Sequence, residues 1–148
     1  MDYEGVIRSG VPNCSCEKCV NMCKTRPCWG SPRQFKQILV KHPEYVDMIG
    51  IDYYLGEDSS IYMLAGSIPD CDSDGHYPYI PVGTCGLLKD DKCLIHEMKP
   101  VEGRMAHHDD VHDQAFYKWL HHTAIPSSWK TKKGLEVIDL YRRLRHSK

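Results

Sequence analysis

No stretch of this sequence is apolar for long enough to cross a bilayer as a helix. The N-terminal residues, MDYEG, also lack the basic start and the apolar run of a signal peptide. Together these absences predict a cytoplasmic protein with no membrane partner. The length of 148 residues predicts a single domain, 1–148, with one modest core.

Several catalytic motifs are missing as well. The chain has no Gly-rich nucleotide-binding loop, no nucleophile elbow and no H-E-x-x-H pair. The zinc-dependent deaminase signature is absent too, because Cys28 follows Pro27 but no second cysteine comes at the required spacing. The sequence therefore names no catalytic residue and leaves open whether the protein is an enzyme.

Net charge is close to balance, with 19 Lys and Arg against 20 Asp and Glu, but the charges are unevenly distributed. Residues 44–76 carry eight acidic residues and no Lys or Arg, whereas 118–148 carry eight basic residues against Glu136 and Asp139. One interpretation is two solvated faces that partly attract each other. The alternative is a basic C-terminal helix that contacts nucleic acid or an acidic protein partner.

Cysteine, by contrast, is abundant: there are eight, and five of them lie within residues 14–28. They are Cys14, Cys16, Cys19, Cys23 and Cys28, followed by Cys71, Cys85 and Cys93. Thiols packed this closely usually bind metal in a reducing cytosol or form disulfides in an oxidising compartment. Without an export signal, metal binding is favoured over four disulfides or mostly buried thiols without metal.

The first cluster has the spacing of a chelating loop. Cys16-x2-Cys19 is typical of zinc and iron–sulfur sites, and Cys23 adds a third thiolate one loop later. Cys14 and Cys28 are close enough in sequence to complete that site or to begin another. One such pair is weak support, but five cysteines in fifteen residues strongly favour ligation.

A second cluster has the spacing Cys85-x7-Cys93-x2-His96, with Cys71 in an Asp-rich loop ahead of it. A hairpin would bring the two thiols together at its base, and zinc accepts the His96 imidazole. Eight thiols with one or more histidines suffice for two tetrahedral sites, or for one cluster with spare thiols. We predict zinc as the preferred ion and an iron–sulfur cluster as the alternative.

Three histidines and two aspartates within residues 107–112 form a further candidate site. His107 is the preferred metal ligand among them. The alternative is a polar helix start, in which Asp109 or Asp110 caps the helix and the histidines are exposed.

The clearest helix is predicted just after the first cluster. Ser31 is a good N-cap, Pro32 suits the first helical position, and Gln34 completes a capping box. Apolar residues at 35, 38 and 39 then share one face, and Pro43 limits extension and opens a second short helix.

Further elements are predicted downstream. Residues 60–65 form a strand, and a hairpin turns at KDDK, 89–92. A third helix starts near Asp109 and ends at Pro126, with His121 and His122 in its last turn. The last helix starts at 133–134, and the three tryptophans serve as core or loop anchors.

The fold class expected is therefore α+β: a small irregular domain of three to four helices and a minimal β-hairpin, with long loops stapled by metal. The cysteine-rich core covers about 12–104, and a basic helical part covers about 109–148.

The second cluster also lies within a longer pattern, CGLL followed by KCLIHEMKP and then EGR, over residues 85–104. From Cys14 to Arg104 the chain resembles the YkgJ-like family of zinc- or iron-chelating cysteine-cluster proteins. That family has CxxCxxCC near its start, whereas this chain has no adjacent pair of cysteines. Cys28, Cys71 and His107 are the candidates to supply the missing ligands. The resemblance implies a metal site and no particular reaction.

Three functions follow as expectations. The first is a mainly structural metal site in a binding or adaptor module, because closed sites stabilise small irregular folds. The second is an iron–sulfur or open-site metal enzyme, redox or hydrolytic. The third is a zinc-stapled protein that binds nucleic acid through its basic C-terminal helix.

Overall fold

A computed structural model describes residues 29–54, 61–67, 85–90, 92–95 and 118–147. The helical elements are α1 (Pro32–Lys41), a 3₁₀ helix (Pro43–Met48), a π-helical turn (Leu120–Ala124), α2 (Ile125–Trp129) and α3 (Lys132–His146). The strands form two antiparallel pairs, β1 (Ile49–Tyr53) with β2 (Tyr62–Gly66), and β3 (Leu88–Lys89) with β4 (Lys92–Cys93). The predicted small α+β class is confirmed.

Helix α1 begins at the capping box that the sequence predicts. Ser31 Oγ accepts a hydrogen bond from the Gln34 N–H at 3.2 Å, and Gln34 Oε1 accepts one from the Ser31 N–H at 3.0 Å. Both residues are buried, so these donors are satisfied away from water. Helix α1 ends at Lys41, and the predicted short helix after Pro43 is the 3₁₀ helix.

The β1–β2 sheet runs in register from Ile49 opposite Gly66 to Tyr53 opposite Tyr62. β2 confirms the strand predicted at 60–65, displaced towards Gly66. β1 was not predicted, because its sequence IGIDY contains Gly and Asp, which are depleted in strands, and follows a helix without a turn signal. It is specified by pairing with β2 and by burial in the core.

The predicted end of the third helix is wrong. Pro126 lies in the first turn of α2, and helical structure continues to Trp129. Proline is tolerated there because residues in the first turn of a helix do not need a backbone N–H. The wider π-helical turn before α2 is closed by the Ile125 N–H, which donates to Leu120 O. His121 and His122 therefore lie inside the π-helical turn and not at a helix end.

Two side chains from the C-terminal helices tie them to the rest of the fold. The Trp129 indole N–H donates to Gly30 O at 2.9 Å, and the Tyr141 hydroxyl donates to Ile49 O at 2.7 Å. Both side chains are almost completely buried. The expectation for the tryptophans is confirmed for Trp29 and Trp129, whereas Trp119 is 45% exposed and is not a core residue.

Helix α3 begins at N-cap Thr131, and its buried face includes Val137, Ile138 and Tyr141. The predicted last helix is thus confirmed, one residue longer at its start. Among the described helices, none combines the length and the apolar character that a membrane span requires.

Candidate metal centre

The predicted hairpin at KDDK is present as β3 and β4, and we call residues 85–90 and 92–95 the cysteine hairpin. Lys89 pairs with Lys92 around a two-residue turn, and Asp90 has a φ of 50°. Aspartate tolerates this left-handed conformation better than most residues, and tight hairpin turns require it. The register places Leu88 opposite Cys93.

The same register brings the backbone of Cys85 near the hairpin. The Leu88 N–H donates to Cys85 O at 3.0 Å, which closes a turn, and the Leu94 N–H donates to Leu87 O at 2.9 Å. Leu88 and Cys93 therefore form a non-hydrogen-bonded pair, in which facing side chains approach most closely. Cys85 thus begins the turn that ends at Leu88, and Leu88 is the residue that faces Cys93.

Both described cysteines contact the hydrophobic core. Cys85 is 8% exposed and belongs to the buried core, while Cys93 is half-buried and packs against it. They are not joined to each other by a disulfide. Thiolates are ligands that structural zinc and iron–sulfur sites use, so both residues stay candidate donors.

Gly86 fixes Cys85 to the end of the β1–β2 sheet. The Gly86 N–H donates to Ser67 O at 2.7 Å, and the Ser67 N–H donates to Met48 O at 2.7 Å. A Cβ at Gly86 would lie 2.3 Å from Ser67 Oγ. Any larger residue at this position would displace the Ser67 hydroxyl, so glycine favours the close approach that holds the cysteine hairpin against the residue that follows β2.

Trp29 fixes a second segment to the same strand. It forms an antiparallel bridge with Ala65, and its indole N–H donates to Asp52 Oδ2 at 2.8 Å. Its ring also meets Tyr54 edge-on, with centroids 6.3 Å apart. Cys28 is the residue before Trp29 in the sequence. The first cysteine cluster is therefore followed directly by a residue that pairs with Ala65, two positions before Ser67.

Two segments that carry candidate ligands therefore join the described fold close to each other. The first ends at Trp29, beside Ala65, and the segment 68–84 leaves at Ser67 and re-enters at Cys85. The end of β2 is the common point of attachment.

Most of the predicted ligands lie outside the described residues: Cys14, Cys16, Cys19, Cys23, Cys28, Cys71, His96 and His107. Within the described ranges, no group of three or more Cys, His, Asp and Glu is placed to hold an ion. Of the predicted ligands, the described residues include Cys85 and Cys93, which could supply two of the four donors that a tetrahedral site needs.

Asp52 is a buried hydrogen-bond partner of Trp29 that the sequence analysis missed. The residue is 2% exposed, and its carboxylate accepts hydrogen bonds from the Trp29 indole and from the Tyr53 N–H, both at 2.8 Å. It therefore orients the residue that follows Cys28. The only signal in the sequence was an acidic residue within an apolar stretch, which does not identify a hydrogen-bond partner 23 residues away.

The basic C-terminal helix presents mixed charge. Lys132 and Lys133 are exposed at its start and Arg142 and Arg143 near its end, and the exposed acids Glu136 and Asp139 lie between them. Each acid is three or four residues from a base, a spacing at which opposite charges are neighbours on a helix. This pattern is typical of a solvated helix face.

Comparison of the chain with protein-family models, with curated protein sequences and with solved structures finds no match. The resemblance to the YkgJ-like family therefore stays a prediction that depends on the residues quoted above.

Proposed function

We propose that this protein is a metal-binding cysteine-cluster protein, with a mainly structural zinc site, that serves as a binding or adaptor module. The observation that supports this most is the common attachment point at the end of β2. Trp29 pairs with Ala65 there, and the Gly86 N–H donates to Ser67 O, so the segment before Trp29 and the segment 68–84 join the described fold near one point. Ligands that are distant in sequence would then reach one ion without moving the core.

Burial supports a structural role over a catalytic one. Cys85 is part of the hydrophobic core, so a metal bound to it would have protein on at least one side. A catalytic zinc needs a coordination position open to water and substrate, whereas a structural zinc uses all four for protein ligands. An ion held by thiolates from several segments stabilises the fold directly, because such a site does not form in the unfolded chain.

The thiolate donors leave the choice between zinc and an iron–sulfur cluster to experiment. An iron–sulfur protein would make a redox enzyme the better proposal, since its cluster carries electrons. Purification without oxygen, followed by elemental analysis and a visible absorption spectrum, separates the two. We expect bound zinc and no visible absorption band.

The decisive experiment compares Cys93→Ser with Leu88→Ala. The two residues face each other in the cysteine hairpin, so both changes disturb the same backbone, but only Cys93→Ser removes a donor. We expect the serine variant to lose zinc and the alanine variant to keep it. Cys16→Ser should also lose zinc if the first cluster shares or neighbours the site. Wild-type protein that is folded but free of zinc and iron after oxygen-free purification would refute the proposal.

A further inference from the structure

The cysteine hairpin has few attachments to the remaining described residues, 29–54, 61–67 and 118–147, which we call the helix–sheet region. Within the described ranges, the backbone hydrogen bond between the two is the one from the Gly86 N–H to Ser67 O at 2.7 Å. The hairpin adds three buried side chains to the core, those of Cys85, Leu87 and Ile95. A small apolar contact and this hydrogen bond therefore hold the hairpin in place.

The backbone pairing inside the hairpin is also short. Its strands have two residues each, and the Leu94 N–H extends the pairing by donating to Leu87 O at 2.9 Å. The turn holds Asp90, a residue other than glycine, in the left-handed conformation, which is unfavourable for the backbone. A single two-stranded hairpin is at best marginally stable in water. Once it leaves the core, this hairpin should therefore also lose its own pairing.

The helix–sheet region has contacts of its own that do not involve the hairpin. The Trp129 indole donates to Gly30 O, and the Tyr141 hydroxyl donates to Ile49 O, so both C-terminal helices are tied to other parts of this region. Trp129, Tyr141 and Phe35 are almost completely buried. Opening of the hairpin alone leaves these contacts in place. Such a local opening costs less free energy than unfolding of the whole chain.

A bound ion changes this balance, because both described cysteines lie in the hairpin. Cys93 faces Leu88, and Leu88 ends the turn that Cys85 begins, so the paired hairpin keeps the two cysteines in one small unit. Loss of the pairing lets the two thiolates move apart. An ion that needs both thiolates binds the docked hairpin and not the open one. It therefore stabilises the docked form by mass action.

We propose that the cysteine hairpin is a metal-dependent conformational switch. With zinc bound, the hairpin is docked on the helix–sheet region. When zinc leaves, the hairpin opens as a unit, the buried Cys85 thiol becomes accessible to solvent, and the helix–sheet region stays folded. This inference rests on the proposed function, and it adds that the order of one described segment depends on whether zinc is bound.

The test is amide hydrogen exchange, followed by NMR, on the full chain in reducing, oxygen-free buffer. Zinc-loaded protein is compared with protein treated with a chelator. At free zinc about a hundred times its Kd, exchange at Leu94 should be about a hundredfold slower than without zinc. Without zinc, the Tyr54 N–H, which donates to Ile61 O at 2.9 Å in the helix–sheet region, should stay protected. Iodoacetamide should then also alkylate Cys85, as located by peptide mass spectrometry.

Two variants at equally buried positions separate local from global opening. Leu87 in the hairpin and Val137 in helix α3 are each 2% exposed. At the same buffered free zinc, Leu87→Ala should speed exchange at Leu94 by about tenfold or more, because it removes part of the contact that docks the hairpin. Val137→Ala should speed exchange at Tyr54 and leave Leu94 unchanged.

Three results would overturn the switch while leaving zinc binding intact. They are equal protection of Leu94 with and without zinc, loss of protection at Leu94 and Tyr54 together when zinc is removed, and equal acceleration at Leu94 by Val137→Ala and Leu87→Ala. Wild-type protein that contains neither zinc nor iron is a different outcome. It would refute the proposed function itself, and the switch with it.

Discussion

The helix–sheet region (29–54, 61–67 and 118–147) and the cysteine hairpin are stabilised in different ways. The first buries large side chains from separate helices, among them Phe35, Trp129 and Tyr141. The second consists of strands of two residues each and adds only Cys85, Leu87 and Ile95 to the buried core. A hairpin this small is marginally stable in water. Burial therefore accounts for the first region, whereas the second depends on its attachment to Ser67 and, in our proposal, on a metal.

The largest effect should come from Trp129→Ala, which would break the helix–sheet region. The change removes a fully buried indole and its hydrogen bond to Gly30 O. We expect the free energy of unfolding in urea to fall by about 3–5 kcal/mol. Trp119→Ala is the control, since that side chain is half-exposed, and should cost less than about 1 kcal/mol. Similar losses in the two variants would contradict the proposed difference between core and surface tryptophans.

An intermediate effect is expected for Gly86→Ala, which separates the two regions at their contact. The added methyl group would meet Ser67 Oγ, so we expect a loss of about 1–3 kcal/mol. Amide hydrogen exchange should become faster at Leu94, whose N–H is bonded within the hairpin, and stay unchanged at His42, whose N–H closes helix α1.

Adding Ser67→Ala to that variant sharpens the test. The second change removes the hydroxyl nearest to the new methyl group and should restore slow exchange at Leu94. Equal acceleration at Leu94 and His42 would instead show that the hairpin and the helix–sheet region unfold together.

The smallest effects should come from two helix caps within the helix–sheet region. Ser31→Ala removes an acceptor that is buried within a capping box, and Thr131→Ala removes one that is exposed. We expect losses of about 1–2 kcal/mol for Ser31 and about 0.5–1 kcal/mol for Thr131, because water can replace only the exposed cap. Thermal unfolding would measure both, and a larger loss at Thr131 would show that burial does not decide the order.

Elements with local signals were predictable from the sequence. The capping box at Ser31 and Gln34, the KDDK hairpin and the periodicity of α3 each depend on residues within a few positions of one another. β1 and the continuation of helical structure past Pro126 were missed. β1 depends on pairing with β2, which is distant in the sequence. The continuation past Pro126 depends on a π-helical turn, in which hydrogen bonds span five residues, so that the missing N–H of proline does not end the helix.

In the candidate metal site, too, local features were predictable from the sequence and long-range contacts were not. Cysteine spacing predicts which residues are donors, because chelating loops are short-range patterns. It does not reveal that Cys85 is part of the core or that Asp52 orients Trp29. Those relations join residues far apart in the chain, and only the packing of β1 against β2 brings them together.

The Gly86–Ser67 hydrogen bond has a consequence for how the chain can vary. Since it joins Gly86 to Ser67 at 2.7 Å, the described residues on either side of the segment 68–84 meet at one point of the fold. The entropic cost of joining two chain ends rises only logarithmically with the number of residues between them, and doubling that number costs about 0.6 kcal/mol. Insertions between Ser67 and Cys85 that leave Cys71 in place should therefore cost folding little, which makes this position suited to carrying additional sequence.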